Sequence, residues 1–210
     1  YFFDVLNSLP IEPRYNIAPS QEVPVIRMAA SGRELALMRW GLTPHWAKDR
    51  KTGTGVINAR AETVAEKPFF RNAFRRRRCL IPATGFYEWK SHKGGKQPYH
   101  FQIRKGGLFA FAGLWESWTG QQNQRVETCA IIVTEANEAI SSIHDRMPVI
   151  LRPEDFASWL SPANTDPELL QPLLRPCPAS WVDSYAVSRM VSSPKNDGPE
   201  CIAPLEQAAI

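Results

Sequence analysis

Residues 108–115 read LFAFAGLW, and residues 128–133 read TCAIIV. Both runs are short, apolar and rich in aromatic or β-branched side chains, which is typical of buried strands. Four further runs have the same character, at residues 23–28, 34–40, 86–89 and 99–103. Glycine pairs at 94–95 and 106–107 fall between runs and predict turns. The spacing therefore favours hairpins and meanders over βαβ units.

Helices are predicted in four short segments. These are residues 68–76, 135–143, 153–160 and 166–174. Pro68 suits a first helical turn, where its missing N–H costs nothing. Thr134 is a candidate N-cap for the second segment, and Asp166 followed by Pro167 supplies an N-cap and first helical residue for the last. The pattern predicts an α+β chain: a single domain over residues 1–210, with an antiparallel-rich, strongly curled, barrel-like sheet and flanking short helices.

The composition is that of an ordinary globular domain. Hydrophobic residues make up 43% and charged residues 22% of the 210 positions. No run approaches the roughly 20 apolar residues that cross a bilayer, and no signal peptide is visible, so neither a membrane nor an export route is predicted. One small domain is expected to be a monomer.

The four cysteines predict neither a metal site nor a disulfide scaffold. Cys79, Cys129, Cys177 and Cys201 are widely spaced, without a C-x-x-C pair or a histidine at zinc-ligand spacing. Reduced thiols in a cytosol are the simplest interpretation. Cys129 lies inside an apolar run and is expected in the core. None of the four has the surroundings of an activated nucleophile.

Positive charge is concentrated in one segment. The formal net charge is +4 and the isoelectric point is near 9.0, which permits a polyanionic partner without requiring one. Arginines crowd residues 71–78, and Arg60 lies upstream. A solvated helix end is the simplest interpretation of such a run. Seven tryptophans favour single-stranded nucleic acid as the alternative, because bases stack on aromatic rings while cations pair with phosphates.

Two clusters carry candidate chemistry on extended segments. Asn58 and Arg60 stand two apart, so on a strand both point to one face and could converge on a phosphate or carboxylate; a surface turn is the alternative. Glu88 interrupts an aromatic run beside Trp89. If Glu88 is partly buried, its pKa should rise, which suits a proton donor; an edge-strand carboxylate paired with Lys90 or an arginine is the alternative.

Two further clusters lie later in the chain. His144 is flanked by Asp145 and is followed by Pro148, and an imidazole suits proton transfer or contact with a phosphate. A helix-terminating histidine without chemistry is the alternative. The loop at residues 188–198, with Arg189 and Lys195, could contact a nucleic-acid backbone, although solvated loops have the same composition.

Six motifs taken together carry a resemblance. They are RYNIAP at 14–19, WGL and PHW at 40–46, INAR at 57–60, GFYEWK at 85–90, IHDRMP at 143–148 and the loop at 188–198. In this order, and over nearly the whole chain, they resemble the SRAP family (SOS response-associated peptidase). The resemblance implies an abasic-site sensor and processing protein of the DNA damage response. It would bind single-stranded DNA that contains abasic sites, without a cofactor, in the cytoplasm and at the nucleoid of a bacterium.

The resemblance also implies a covalent chemistry. Family members begin Met-Cys-Gly-Arg, and removal of Met exposes a Cys whose amine and thiol together close a thiazolidine on the abasic sugar, a DNA–protein crosslinking (lyase-like) activity. By motif match, Asn58 would position the Cys, Glu88 would act as general acid/base, and His144 would assist proton transfer. The implied DNA contacts are Arg60, Trp46, Trp89, Arg189 and Lys195.

The start of the chain departs from the family pattern. Residues 1–210 contain no Met-Cys-Gly-Arg, and we expect these residues to precede Tyr1 in the encoded protein. A member that lacks the nucleophile would instead be a non-catalytic module that binds single-stranded or modified DNA. An autoproteolytic cysteine peptidase that uses the same Cys, Asn, Glu and His is a third alternative.

Overall fold

Most of the strands belong to one sheet that closes on itself. The computed structural model describes residues 3–47, 55–120 and 123–205. The strands in these ranges are β1 (Glu22–Ala29), β2 (Gly32–Trp40), β3 (Asn58–Arg60), β4 (Arg78–Ala83), β5 (Gly85–His92), β6 (Gly95–Ile103), β7 (Phe109–Thr119), β8 (Arg125–Glu135), β9 (Arg146–Pro148), β10 (Ile150–Leu151) and β11 (Val182–Ala186). The large sheet has the order β10-β7-β4-β1-β2-β8-β3. An additional pairing of β7 with β8 closes it into a barrel, which confirms the predicted curled sheet.

Antiparallel hairpins build most of this architecture. β1 pairs with β2, β5 with β6, and β7 with β8, each directly after its neighbour in sequence. The six predicted strand runs lie in these hairpins, apart from Leu108, which precedes β7. Two pairings were not expected: β2 and β3 both run parallel to β8. β5, β6 and β11 form a separate three-stranded sheet in the order β11-β6-β5.

The helices are short and lie against the large sheet. They are α1 (Arg71–Arg76), α2 (Phe156–Leu160) and α3 (Pro167–Leu170), with 3-10 turns at Pro153–Asp155, Gln171–Leu173, Ala179–Trp181, Arg189–Ser192 and Pro199–Ile202. The Asp166 carboxylate accepts a hydrogen bond from the N–H of Glu168, as predicted for an N-cap. The first helix begins at Arg71 and not at Pro68, because residues 68–70 form a turn that precedes it.

The helix predicted over residues 135–143 is wrong. β8 continues to Glu135, and Thr134 is a buried strand residue paired with Met147 of β9 rather than an N-cap. Asn137 closes the turn that follows: its side-chain oxygen accepts from the N–H groups of Ala139 and Ile140. Pairing with β9 uses the backbone hydrogen-bonding groups of residues 133–135, so these groups are not available to begin a helix.

Alternating side chains of the barrel strands enter two hydrophobic clusters. Leu80 of β4 packs with Phe74 and Trp159 from the helices. Its neighbour Cys79 lies in the other cluster, with Phe101 of the small sheet. The barrel wall therefore lies between the helices and the three-stranded sheet, because successive residues of a strand face opposite sides.

Candidate active site

β3 presents an amide and a guanidinium on one side of the barrel. Asn58 and Arg60 are exposed while Ala59 between them is fully buried, so the predicted common face is confirmed. The register of β3 against β8 places Asn58 opposite Ile131. Just beyond the strand, Glu62 accepts a hydrogen bond of 2.5 Å from Arg146.

Glu88 occupies a sheltered position on β5. Its side chain is only 22% exposed. Burial raises the pKa of the Glu88 carboxyl above its usual value; the nearby His144 opposes this and Asp145 adds to it. The sequence predicted that the pKa of Glu88 rises if its side chain is partly buried. The structure shows both the burial and the raised pKa. The carboxyl therefore keeps its proton to higher pH than an exposed glutamate does.

The fold brings His144 next to this carboxyl. The Nε2 atom of His144 lies 3.9 Å from Oε2 of Glu88, although 56 positions separate the two residues in the chain. His144 ends the turn that Asn137 closes, and β5 supplies Glu88 from the small sheet. The structure therefore shows a Glu–His pair. It does not show Glu88 paired with Lys90 or His144 at the end of a helix.

Hydrogen bonds orient the His144 ring. The backbone N–H of Arg146 donates to Nδ1 at 3.0 Å, which favours the neutral tautomer with its proton on Nε2, the atom that faces Glu88. The Asp145 carboxylate lies 3.2 Å from the same Nδ1 atom. The pair thus joins a carboxyl with a raised pKa to an imidazole, which suits general acid–base chemistry.

The loop at residues 188–198 packs along β5. Trp89 donates its indole N–H to the Ser192 hydroxyl at 3.1 Å, and Lys195 is exposed in the same loop. Arg189 is exposed as well, but its guanidinium lies 3.2 Å from His92 at the tip of the β5–β6 hairpin rather than beside Glu88. The structure therefore brings Trp89 and this loop together and leaves Arg189 at the hairpin tip.

The motif at residues 14–19 holds the same loop. The Asn16 side-chain amide donates to the carbonyls of Val191, Ser193 and Asn196, and Asn16 is 6% exposed. Asp197 accepts from the backbone N–H groups of both Tyr15 and Asn16. Sequence reasoning did not find Asp197; its only signal is an acidic residue in an Asn- and Pro-containing loop.

Trp46 follows β2 in the chain and is 55% exposed. It meets Phe69 edge-on, with ring centroids 6.2 Å apart. An exposed indole supported from behind by a second ring is a suitable platform for a stacked base.

The cysteines of the chain are sealed in the core. All four are buried and free, which confirms the predicted core position of Cys129. Burial raises the pKa of the Cys129 thiol to about 12 and that of Cys177 to about 11. These thiols are therefore poor nucleophiles at neutral pH.

Two absences hold for the described part of the chain. Within residues 3–47, 55–120 and 123–205, no group of three His, Cys, Asp or Glu side chains could hold a metal ion. Over the same ranges, no helix is long and apolar enough to cross a membrane.

The burial of Glu88 predicts a pH-dependent stability. A raised pKa means that the folded chain binds this proton more tightly than the unfolded chain. Its contribution to the free energy of unfolding is fully present below about pH 4.3, the usual glutamate value, and is lost as pH rises through the raised pKa. Urea denaturation of the wild type and Glu88→Gln should be compared between pH 4 and 8. As pH rises, the free energy of unfolding of the wild type should fall relative to that of the variant. Free energies that change in parallel with pH would contradict this prediction.

The fold is a closed barrel with a smaller sheet beside it, and it brings the Glu88 carboxyl and the His144 ring together. The model of the SRAP family, SOS response associated peptidase, matches residues 3–194. The chain belongs to this family.

Similar proteins agree with the assignment. The abasic site processing protein YoqW of Bacillus subtilis (strain 168) is 50% identical over 191 residues, which cover 90% of this chain and 85% of YoqW. The abasic site processing protein HMCES of Gallus gallus is 32% identical over 92% of this chain and 67% of its own. A crystal structure of a protein from Bacteroides thetaiotaomicron matches with a TM-score of 0.80 and 29% identity, covering 89% of this chain and 82% of that one.

Proposed function

We propose that this protein binds single-stranded DNA at abasic sites and links itself covalently to the sugar, as part of a DNA damage response. The pairing of the sheltered Glu88 carboxyl with the His144 ring is the observation that carries the proposal. Opening of the sugar and formation of an imine both need protons to be moved at one carbon, and this pair has the acid and the base to move them. Family membership and the names of the relatives support the substrate.

The nucleophile in this proposal is an N-terminal Cys, as the family pattern implies. The buried thiols of Cys79, Cys129, Cys177 and Cys201 cannot reach a DNA sugar, which agrees with a nucleophile from elsewhere in the protein. The α-amine attacks the C1′ aldehyde, and loss of water gives an imine. The thiol then adds to the imine carbon, forming the C–S bond while the nitrogen takes up a proton. Because both nucleophiles belong to one residue, the second step is intramolecular.

The surrounding residues have distinct roles in the proposal. Asn58 positions the N-terminal Cys, and Glu88 donates the proton that opens the sugar and releases water, with His144 as its partner. DNA is held by cations and rings on the same protein. These contacts are Arg60, Trp46, Trp89, Arg189 and Lys195, all exposed except Trp89, which is half-buried. Arg60 has the strongest geometric support, since it shares its exposed face with Asn58.

Intact-mass measurement tests the proposal directly. The full-length protein, expressed from its own start codon, is incubated with a single-stranded oligonucleotide carrying one abasic site, with an undamaged oligonucleotide as control. We expect a denaturation-stable mass gain equal to the abasic oligonucleotide minus one water. Retained DNA binding without an adduct would make the protein a binding module. A mass loss at the N-terminus without DNA would instead favour the autopeptidase.

Arg60→Ala is expected to weaken DNA binding. Loss of one phosphate contact should lower the slope of log K against log salt by about 0.7 for a single strand. Fluorescence anisotropy with an abasic oligonucleotide between 50 and 300 mM salt measures this slope. Arg104→Ala is a matched control, since Arg104 is also exposed and pairs with Asp183 on β11, at the opposite edge of the small sheet from β5. Identical slopes for Arg60→Ala and the wild type would assign Arg60 a structural role.

A further inference from the structure

Glu116 on β7 is a buried carboxylate, and one of its two oxygens lies close to a histidine ring. Glu116 is only 2% exposed, and its Oε1 accepts from Arg77 Nη2 at 2.6 Å. Its Oε2 is buried and has no hydrogen bond among the residues that the structure describes. Nδ1 of His45 lies 3.4 Å from Oε2. Neither Glu88 nor His144 takes part in this arrangement.

The contact with Glu116 fixes which edge of the His45 ring faces outward. A buried carboxylate with an unsatisfied oxygen is costly, so Oε2 draws Nδ1–H of the ring toward it. Nε2 lies on the opposite side of an imidazole and is then directed away from Glu116. The His45 side chain is 50% exposed, so Nε2 is available to a ligand.

The next residue supplies an aromatic surface. Trp46 is exposed and is backed by Phe69, which lies just before α1. An exposed indole fits one nucleotide of a single strand when a donor beside it reaches the phosphate, because the ring then stacks on the base.

We propose that His45 and Trp46 form a nucleotide subsite, in which Nε2 of His45 donates to a DNA phosphate and Trp46 stacks on the adjoining base. Glu116 is the positioning residue: it holds the ring through Nδ1 and is itself held by Arg77. The inference rests on the proposed DNA binding, and it adds a contact that depends on pH. Among the described residues, the charged groups around the His45 ring are Glu116 and, on the same carboxylate, Arg77.

His45→Gln tests the subsite without disturbing the core. The probe is an undamaged, fluorescein-labelled 15-nucleotide oligothymidine, titrated with full-length protein at pH 6 and pH 8 over a range of salt. Imidazoles generally carry their charge at the lower of these pH values. At pH 6 we expect His45→Gln to bind about threefold to tenfold more weakly than the wild type, as for one charge-assisted contact, with a salt slope smaller by about 0.7. At pH 8 the difference should shrink.

Glu116→Gln separates positioning from simple charge. This variant keeps the shape of the side chain and an acceptor for Arg77, but it loses the charge that holds the ring. We expect it to lose the pH dependence of DNA binding even though His45 remains, and adding His45→Gln to it should cost little more. Arg104→Gln, a loss of one exposed charge outside this surface, should leave the pH dependence intact.

The outcomes distinguish this inference from the function on which it rests. Equal affinities and salt slopes for His45→Gln and the wild type at pH 6, with adduct formation intact, would overturn the subsite alone. Failure of the wild type to bind any single strand would overturn both. If His45→Gln loses the same affinity at pH 6 and at pH 8, the subsite is also overturned. A neutral packing role of His45, and not a charged contact, would then explain the loss.

Discussion

Glu88→Gln is expected to slow formation of the DNA adduct by about 10²-fold to 10⁴-fold, the usual range for loss of a general acid or base. Glutamine keeps the size and polarity of the side chain but cannot transfer a proton. The wild-type carboxyl is well placed to do so, because burial raises its pKa and His144 lies 3.9 Å away. DNA affinity should remain nearly unchanged, since a neutral amide replaces a carboxyl that burial already favours in its neutral form.

Single-turnover rates with an abasic oligonucleotide measure this effect. Glu138→Gln is a matched control: Glu138 is an exposed carboxylate in the turn that leads to His144, and its loss should leave the rate within about twofold. In the wild type, the rate should fall as pH rises through the raised pKa of Glu88, because the acid form is then lost. A Glu88→Gln rate equal to that of the wild type would remove Glu88 from the acid–base role.

Arg78→Leu is expected to lower the free energy of unfolding by about 3–5 kcal/mol, the usual scale for breaking a buried charged network. Arg78 is 4% exposed, and its guanidinium donates to five backbone carbonyls. These are the carbonyls of Phe74, Arg75, Trp159, Ser161 and Asn164. Burial lowers the pKa of Arg78 to about 10, so it is still charged at neutral pH. Leucine would leave all five carbonyls without this donor.

Urea denaturation of two further variants checks the mechanism. Arg76→Leu changes an exposed arginine two positions earlier and should shift stability by no more than about 0.5 kcal/mol. Arg78→Lys keeps the charge but has a compact ammonium in place of the planar fork, so it should restore only part of the loss. Equal stability of Arg78→Leu and Arg76→Leu would show that the carbonyls find other donors.

The arginine run shows how far composition alone can mislead. In sequence, the arginines of residues 71–78 form one basic cluster. The structure separates them: Arg71, Arg75 and Arg76 are exposed, Arg77 pairs with Glu116, and Arg78 links the end of α1 to the end of α2. The strand β4 that begins at Arg78 was missed for the same reason, since a run of charges gave no sign that a buried strand starts within it.

The candidate site was predictable one residue at a time. Asn58, Glu88 and His144 were each chosen because the residue type and its neighbours suit a chemical role, and a motif resemblance supported all three. What each residue would face could not be read from the chain. The sequence offered Lys90 or an arginine as a partner for Glu88, and the structure supplies His144.

The sequence by itself determined the hairpin strands, the N-cap at Asp166 and the burial of Cys129, because alternation, turn residues and caps act over a few neighbouring positions. Only the tertiary structure decided that β7 pairs with β8 to close a barrel, that β2 and β3 run parallel to β8, and that Thr134 stays in a strand. It also decided the meeting of Glu88 with His144 and of Glu116 with His45. These outcomes depend on contacts between residues tens of positions apart, whose free energy comes from burial shared by the whole fold and leaves no local pattern in the chain.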